Sequence, residues 1–243
     1  MACRPVFYAS PLGNPELVSE LHVEFKWFPG FSVQQKHKSI ASLHNRIMGS
    51  TALARPLEIS SKSLIPLGVQ LSAFNLQLSV RTPSVLSASV ETVYQGSKMF
   101  ENRPRVDTDR FSLNSRDSRQ RVRELEGKAS FTGWEIGSYR FPLSSGVDFY
   151  NWLYLGALYQ QPSLLCQIED YDCFTDIEFN PKKSLACQAR SAALAKSLTI
   201  REGGILPYLR RIGRAHAHDD SSSSAAPLIS SERRDCVQLA LDY

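Results

Sequence analysis

The five cysteines of this chain, Cys3, Cys166, Cys173, Cys187 and Cys236, form no C-x-x-C pair and are odd in number. That excludes a regular disulfide framework, and no His/Cys grouping has the spacing of a zinc site. Neither a metal nor a cofactor is expected. The opening Met1-Ala2-Cys3-Arg4-Pro5 has no apolar signal segment, and no apolar run approaches the ~20 residues that span a bilayer. Reduced thiols, a cytoplasmic location and no membrane partner are the expectation. Internal repeats are absent too, which excludes solenoids and propellers. Charge is not lopsided: 28 basic and 24 acidic residues leave +4, which permits a nucleic-acid partner without demanding one.

What is present reads as α+β, one helix-rich domain over residues 1–210 with a small sheet. A hydrophobic share of 42% over this length is enough for a core without staples. His22 to Phe28 alternates as a strand and stops at Pro29-Gly30; Gln34 to Met48 is a basic helix with Ile40, Leu43 and Ile47 on one side. Pro56 to Ser60 and Gly68 to Val80 read as strands, and Val90 to Phe100 as a helix. A helix around Phe149, Trp152 and Leu153 is capped by Asp148, a shorter one opens at Pro162, and Asn180-Pro181 opens another with Leu185, Ala189, Ala192 and Ala193 as its buried stripe. Residues 211–243, with their Asp219-Asp220 and serine run, read as a low-complexity, disordered tail.

Three segments carry candidate chemistry. Glu91, Gln95 and Lys98 stand at i, i+4 and i+7, one stripe of the expected helix, beside Tyr94. Breaking an N-glycosidic bond builds positive charge on the anomeric carbon. A carboxylate there stabilises the cation or activates water, and an amine can instead form a Schiff base. Spacing alone favours an ordinary solvated face. In the second segment Asp176, Glu178 and Asn180 alternate with Ile177 and Phe179 before the expected helix start, where free N–H groups attract phosphate; an acidic cap on the helix dipole explains them equally well. The third holds Lys62 and Ser63 among serines, followed by Phe74 and Asn75: a pyrophosphate cradle and stacking ring, or a hydroxyl-rich turn and a core phenylalanine.

Leu71-Ser72-Ala73-Phe74-Asn75 and Val90-Glu91-Thr92-Val93-Tyr94-Gln95-Gly96-Ser97-Lys98-Met99-Phe100 together resemble the "L-S-N-F" strand and "E-h-x-x-Q-a-x-K-F" helix of the NADAR superfamily. Four longer strings are similar to its branch of antitoxins that accompany DarT-type DNA ADP-ribosyltransferase toxins: Phe25 to Phe31, Glu58 to Ser63, Phe149 to Tyr154 and Phe174 to Pro181. The resemblance runs over about residues 4–209. It implies removal of ADP-ribose from guanine in DNA, with Glu91 as the catalytic carboxylate, Lys98 or Lys62 as the amine of a covalent route, and a DarT-type toxin as cognate partner. By residue type, Asp176 and Glu178 are assigned to the ribose hydroxyls and Trp152 and Phe74 to the pocket wall; Ser63, Asn75, Tyr94, Gln95 and Asn180 complete the substrate set. The branch's Asn-Cys-Gln-Ala reads here Ala186-Cys187-Gln188-Ala189, its Gly-Gly-Pro reads Asn102-Arg103-Pro104, and an expected Ala-Lys pair is replaced within Arg116-Asp117-Ser118-Arg119.

Seven arginines between 103 and 123, Arg103, Arg105 and Arg119 among them, are candidates for the DNA backbone, a solvated ion-paired loop being the alternative. A modified guanine must leave the stack or be offered on a single strand. Two other functions fit the same sequence. One is an N-glycosidase of riboflavin-pathway or other small ribosyl compounds; the other is a catalytically silent module that binds nucleic acid or the toxin.

Overall fold

The protein is represented by a computed structural model, which describes residues 1–81, 85–101, 111, 114–180, 184 and 186–217. In chain order its elements are β1 (Ala2–Ala9), β2 (Val18–Phe25), α1 (Val33–Ser50), β3 (Pro56–Glu58), α2 (Pro66–Gln70), β4 (Gln77–Arg81), β5 (Val85–Ser89), α3 (Val90–Gly96), β6 (Lys98–Phe100), α4 (Ser115–Glu126), β7 (Phe131–Ile136), β8 (Tyr139–Pro142), α5 (Gly146–Tyr159), α6 (Pro162–Ile168), β9 (Cys173–Thr175), α7 (Gln188–Glu202) and α8 (Leu206–His216). The architecture is α+β. Two compact units share the chain, the first made of Met1–Leu76 and Ala157–Ile205, the second of Gln77–Gly156 and the segment from Leu206.

In the first unit the sheet order is β2-β1-β9-β3. β1 and β2 form an antiparallel hairpin from Ala2↔Phe25 to Ala9↔Val18, while β9 runs antiparallel to β1 and parallel to β3. The apolar stripe of α1 buries Ile40, Leu43 and Ile47 against Val6, Val23, Phe25, Cys173 and Ile177. Each of these side chains contributes roughly 1.5–3 kcal/mol by leaving water. Ser32 starts α1 by accepting from the Gln35 N–H. α7 turns a row of small residues inward, Ala189, Ala192, Ala193 and Ala195, all fully buried, so its backbone can approach β1 and β9 closely. It ends at Gly203, whose φ of 70° is the left-handed conformation that terminates helices at little cost.

The second unit contains a β4–β5 hairpin and a meander β6-β7-β8. Its core is aromatic. Phe141 of β8 is fully buried, with ring centroids 4.9 Å from Phe149, 5.7 Å from Trp152 and 4.1 Å from His216. The indole N–H of Trp152 donates to the Leu209 carbonyl, which ties α5 to α8.

Several elements depart from the sequence reading. The helix expected over 90–100 stops at Gly96, and Lys98 instead opens a strand paired with Trp134 of β7. The run 68–80, expected to be a strand, begins as α2 because Pro66 favours a first helical turn; only Gln77–Arg81 is extended. The helix expected at Asn180 starts at Gln188, after residues 181–183 and 185, which lie outside the described residues. The strand placed at 22–28 occupies Val18–Phe25, and α4, β7 and β8 were not foreseen. The boundary expected at 210/211 falls inside α8: residues 211–216 are helical, and Gly213 is buried beside Tyr139 and Trp152. Residues 218–243, the rest of the expected tail, lie outside the described residues.

Candidate active site

Glu91 is the second residue of α3, and only 8% of its side chain is exposed. Ser89 precedes it as N-cap and accepts from the Thr92 N–H, while Ser89, Thr92 and Ser115 share hydroxyl hydrogen bonds that join α3 to the start of α4. A carboxylate in the first turn is stabilised by the positive end of the helix. Oε1 of Glu91 accepts from the Gln95 amide at 2.9 Å and from Nε of Arg119 at 2.6 Å. Among the described residues Oε2 has no hydrogen-bond partner. One oxygen is thus fixed by a charge-assisted bond and the other is left for a ligand or water. The expected i, i+4 stripe therefore holds for Glu91 and Gln95.

Beside this carboxylate stands Tyr94. Its ring packs at 5.6 Å from Trp134, 5.9 Å from Phe149 and 5.4 Å from Tyr150. Burial and the nearby Glu91 and Glu126 carboxylates raise its phenol pKa, so it remains a hydrogen-bond donor across the physiological range. Lys98 projects from β6 with its ammonium 5.3 Å from the Phe131 ring and 6.0 Å from that of Tyr94, and pairs with Glu126 Oε1 at 3.0 Å. The second unit therefore gathers Glu91, Tyr94, Gln95, Lys98 and Arg119. Arg119, expected on a DNA backbone, stands one turn into α4 with its Nε on Glu91. Arg103 and Arg105 lie outside the described residues. A cavity of about 550 Å³ in the same unit is lined by Met99, Trp134, Arg140, Phe141, Pro142 and His216 among others. Glu91 is not among its lining residues.

The remaining candidates belong to the first unit, except Trp152. Trp152, expected on the pocket wall, is a core residue of the second unit, 4% exposed among Tyr139, Phe141 and Leu209. Phe74 is exposed on the turn after α2, where Asn75 donates its amide to the Val69 carbonyl. Lys62 is half-buried in a serine turn, and Ser63 accepts from the Ile65 N–H with its hydroxyl against Gly68. Glu178 is exposed and pairs with Lys36 at 2.8 Å; Asn180 is exposed.

Asp176 is turned inward. Its Oδ1 accepts from the N–H groups of Glu178 and Phe179, closing a turn where a helix start had been expected, and Gln188 hydrogen-bonds its carboxyl. Buried Glu58 stands nearby, accepting from the Ile177 N–H at 2.8 Å and from the Thr175 hydroxyl at 2.6 Å. Since Thr175 gives its proton to Glu58, His44 Nε2, 3.0 Å away, must be the donor to Thr175. Burial raises the pKa of both carboxyls, helped by the charge of Glu178 at Glu58 and by that of Glu58 at Asp176, which reaches about 8. Burial lowers that of His44 to about 4. Gln188 fastens this network: it donates to the Ile59 carbonyl and accepts from the Ala73 N–H. Sequence reasoning missed the network because its members lie up to 131 positions apart, as His44 and Thr175 do.

Fold and site thus define an α+β protein whose candidate chemistry centres on a nearly buried, arginine-held glutamate. The family model of the DarT1-associated NADAR antitoxins matches residues 2–207, and the chain belongs to that family. No match is found among curated proteins.

Proposed function

We propose that this protein is a glycohydrolase that removes ADP-ribose from guanine in DNA and so reverses the modification made by a DarT1-type toxin. The family supports the antitoxin role. The observation that carries the chemistry is Glu91, with one oxygen held by Arg119 and Gln95 and the other without a partner among the described residues.

In this reading the ribose C1 develops positive charge as its bond to the guanine nitrogen breaks. Glu91 stabilises that charge and takes a proton from the water that adds to C1, and that proton passes on to the departing nitrogen, which restores the carboxylate. Arg119 holds and aims the carboxylate, and Tyr94 offers a ring beside it. Free ADP-ribose and intact guanine result. A covalent route would use the amine of Lys98 or Lys62. Borohydride reduction of a reacting mixture, followed by mass spectrometry, separates the two: a sugar-bearing lysine assigns the covalent route, an unmodified protein the water route.

The test is release of ADP-ribose from an ADP-ribosylated oligonucleotide. Glu91→Gln preserves shape and removes the base, and should lower turnover roughly 10²- to 10⁴-fold. Equal rates for wild type and variant would remove Glu91 from the mechanism.

A further inference from the structure

Residues 26–31, Lys-Trp-Phe-Pro-Gly-Phe, connect β2 to α1 within the first unit. Phe31 is fully exposed, so its ring is open to a partner. The segment is nevertheless well fixed. The Phe28 N–H donates to Ser39 Oγ at 3.0 Å, that hydroxyl donates back to the Phe28 carbonyl, and Gly30 takes a φ of +132° that side-chain-bearing residues rarely adopt. Cations surround the rings. The Lys26 ammonium lies 5.2 Å from the Phe28 ring, and Trp27 carries the Arg4 guanidinium at 5.4 Å and the Lys36 ammonium at 5.2 Å. The Nε–H of Arg4 is buried with no acceptor among the described residues. Among the described residues, Glu178 is taken up by Lys36, and Glu24 precedes the segment on β2.

An apolar protein partner would call for rings without charges between them. Rings interleaved with Lys and Arg instead match bases on a phosphate chain, because every base offers a face for stacking and every phosphate a negative charge. We propose that this segment is a platform for single-stranded DNA: bases stack on Phe31 and Phe28, and the phosphates between them meet Lys26 and Arg4. The proposal rests on the DNA reading above and adds where the strand is held.

Fluorescence anisotropy of the full chain with a labelled, unmodified oligothymidine of about 16 nucleotides tests it. Wild type binds with an affinity that falls as salt rises. Phe31→Ala weakens binding roughly 5- to 100-fold, the loss of one stacked base. Lys26→Ala lowers the slope of log affinity against log salt by about 0.7. Because Phe31 is wholly exposed, its replacement leaves the melting temperature unchanged. Wild type that ignores the oligonucleotide, or Phe31→Ala that binds as wild type does, overturns the platform; the latter together with lost capture of the toxin assigns the patch to a protein partner. ADP-ribose release from a modified mononucleoside reads the Glu91 chemistry separately, and Phe31→Ala leaves it intact. Should wild type release nothing from either substrate, the glycohydrolase reading fails while the binding result still decides the platform.

Discussion

Raising the pH from 6.5 to 8.5 should destabilise the first unit, and the reason lies at Asp176. Its buried carboxyl, facing Glu58, titrates at about 8 in the folded protein and at about 3.9 in an unfolded chain. Between those values the folded state holds a proton that the unfolded state has released, so stability falls as pH rises through the interval. Glu58, its pKa raised by the same burial, acts in the same sense. His44 acts in the other. Burial lowers its pKa to about 4 from about 6.5 when unfolded, so its contribution grows with pH across that window and is complete above it. His44 offsets part of this up to about pH 6.5, and beyond it the Asp176 and Glu58 carboxyls act unopposed by it. About 1.5 pH units at about 1.4 kcal/mol per unit give a loss of about 2 kcal/mol by pH 8. Urea midpoints at pH 6.5 and 8.5 measure it. Asp176→Asn keeps an oxygen to accept from Glu178 and Phe179 but cannot titrate, and should narrow the gap between the two midpoints. A wild-type midpoint that is flat or rises over this range, or a variant that keeps the wild-type slope, would refute the reasoning.

Other outcomes follow from single contacts. Arg119→Met removes the 2.6 Å bond to Glu91; because the guanidinium is 43% exposed, its worth is discounted to roughly 1–2 kcal/mol, a 5- to 30-fold loss in kcat/KM with little change in melting temperature. Arg119→Lys should recover part of that rate, and full activity in Arg119→Met would show that the pair is incidental. Gly68→Ala would set a Cβ 1.9 Å from the Glu58 carbonyl oxygen, a backbone atom with no room to yield; a loss of about 3 kcal/mol or more is expected in denaturant titration. Gly203→Ala, at the left-handed end of α7, should cost about 1–2 kcal/mol in the same measurement.

Local pattern carried much of this protein. The i, i+3, i+7 spacing of Ile40, Leu43 and Ile47 is helical wherever it is placed, and one face of such a helix must be buried. The same short-range geometry paired Glu91 with Gln95, since residues four apart on a helix touch whatever surrounds them. Where the chain had to choose between its own propensity and a partner strand, pattern was not enough. Val90 to Phe100 reads as one helix, yet Lys98, Met99 and Phe100 gain backbone hydrogen bonds from β7, and only the tertiary structure supplies β7. Asp176 met the same limit: its composition suits a helix cap, and its burial against Glu58 is decided by residues more than a hundred positions away. Glu91 stood out as a candidate through the family resemblance, since its spacing alone suits a solvated face. That its carboxylate is nearly buried and held by an arginine from α4 follows from packing between elements, which no local rule encodes.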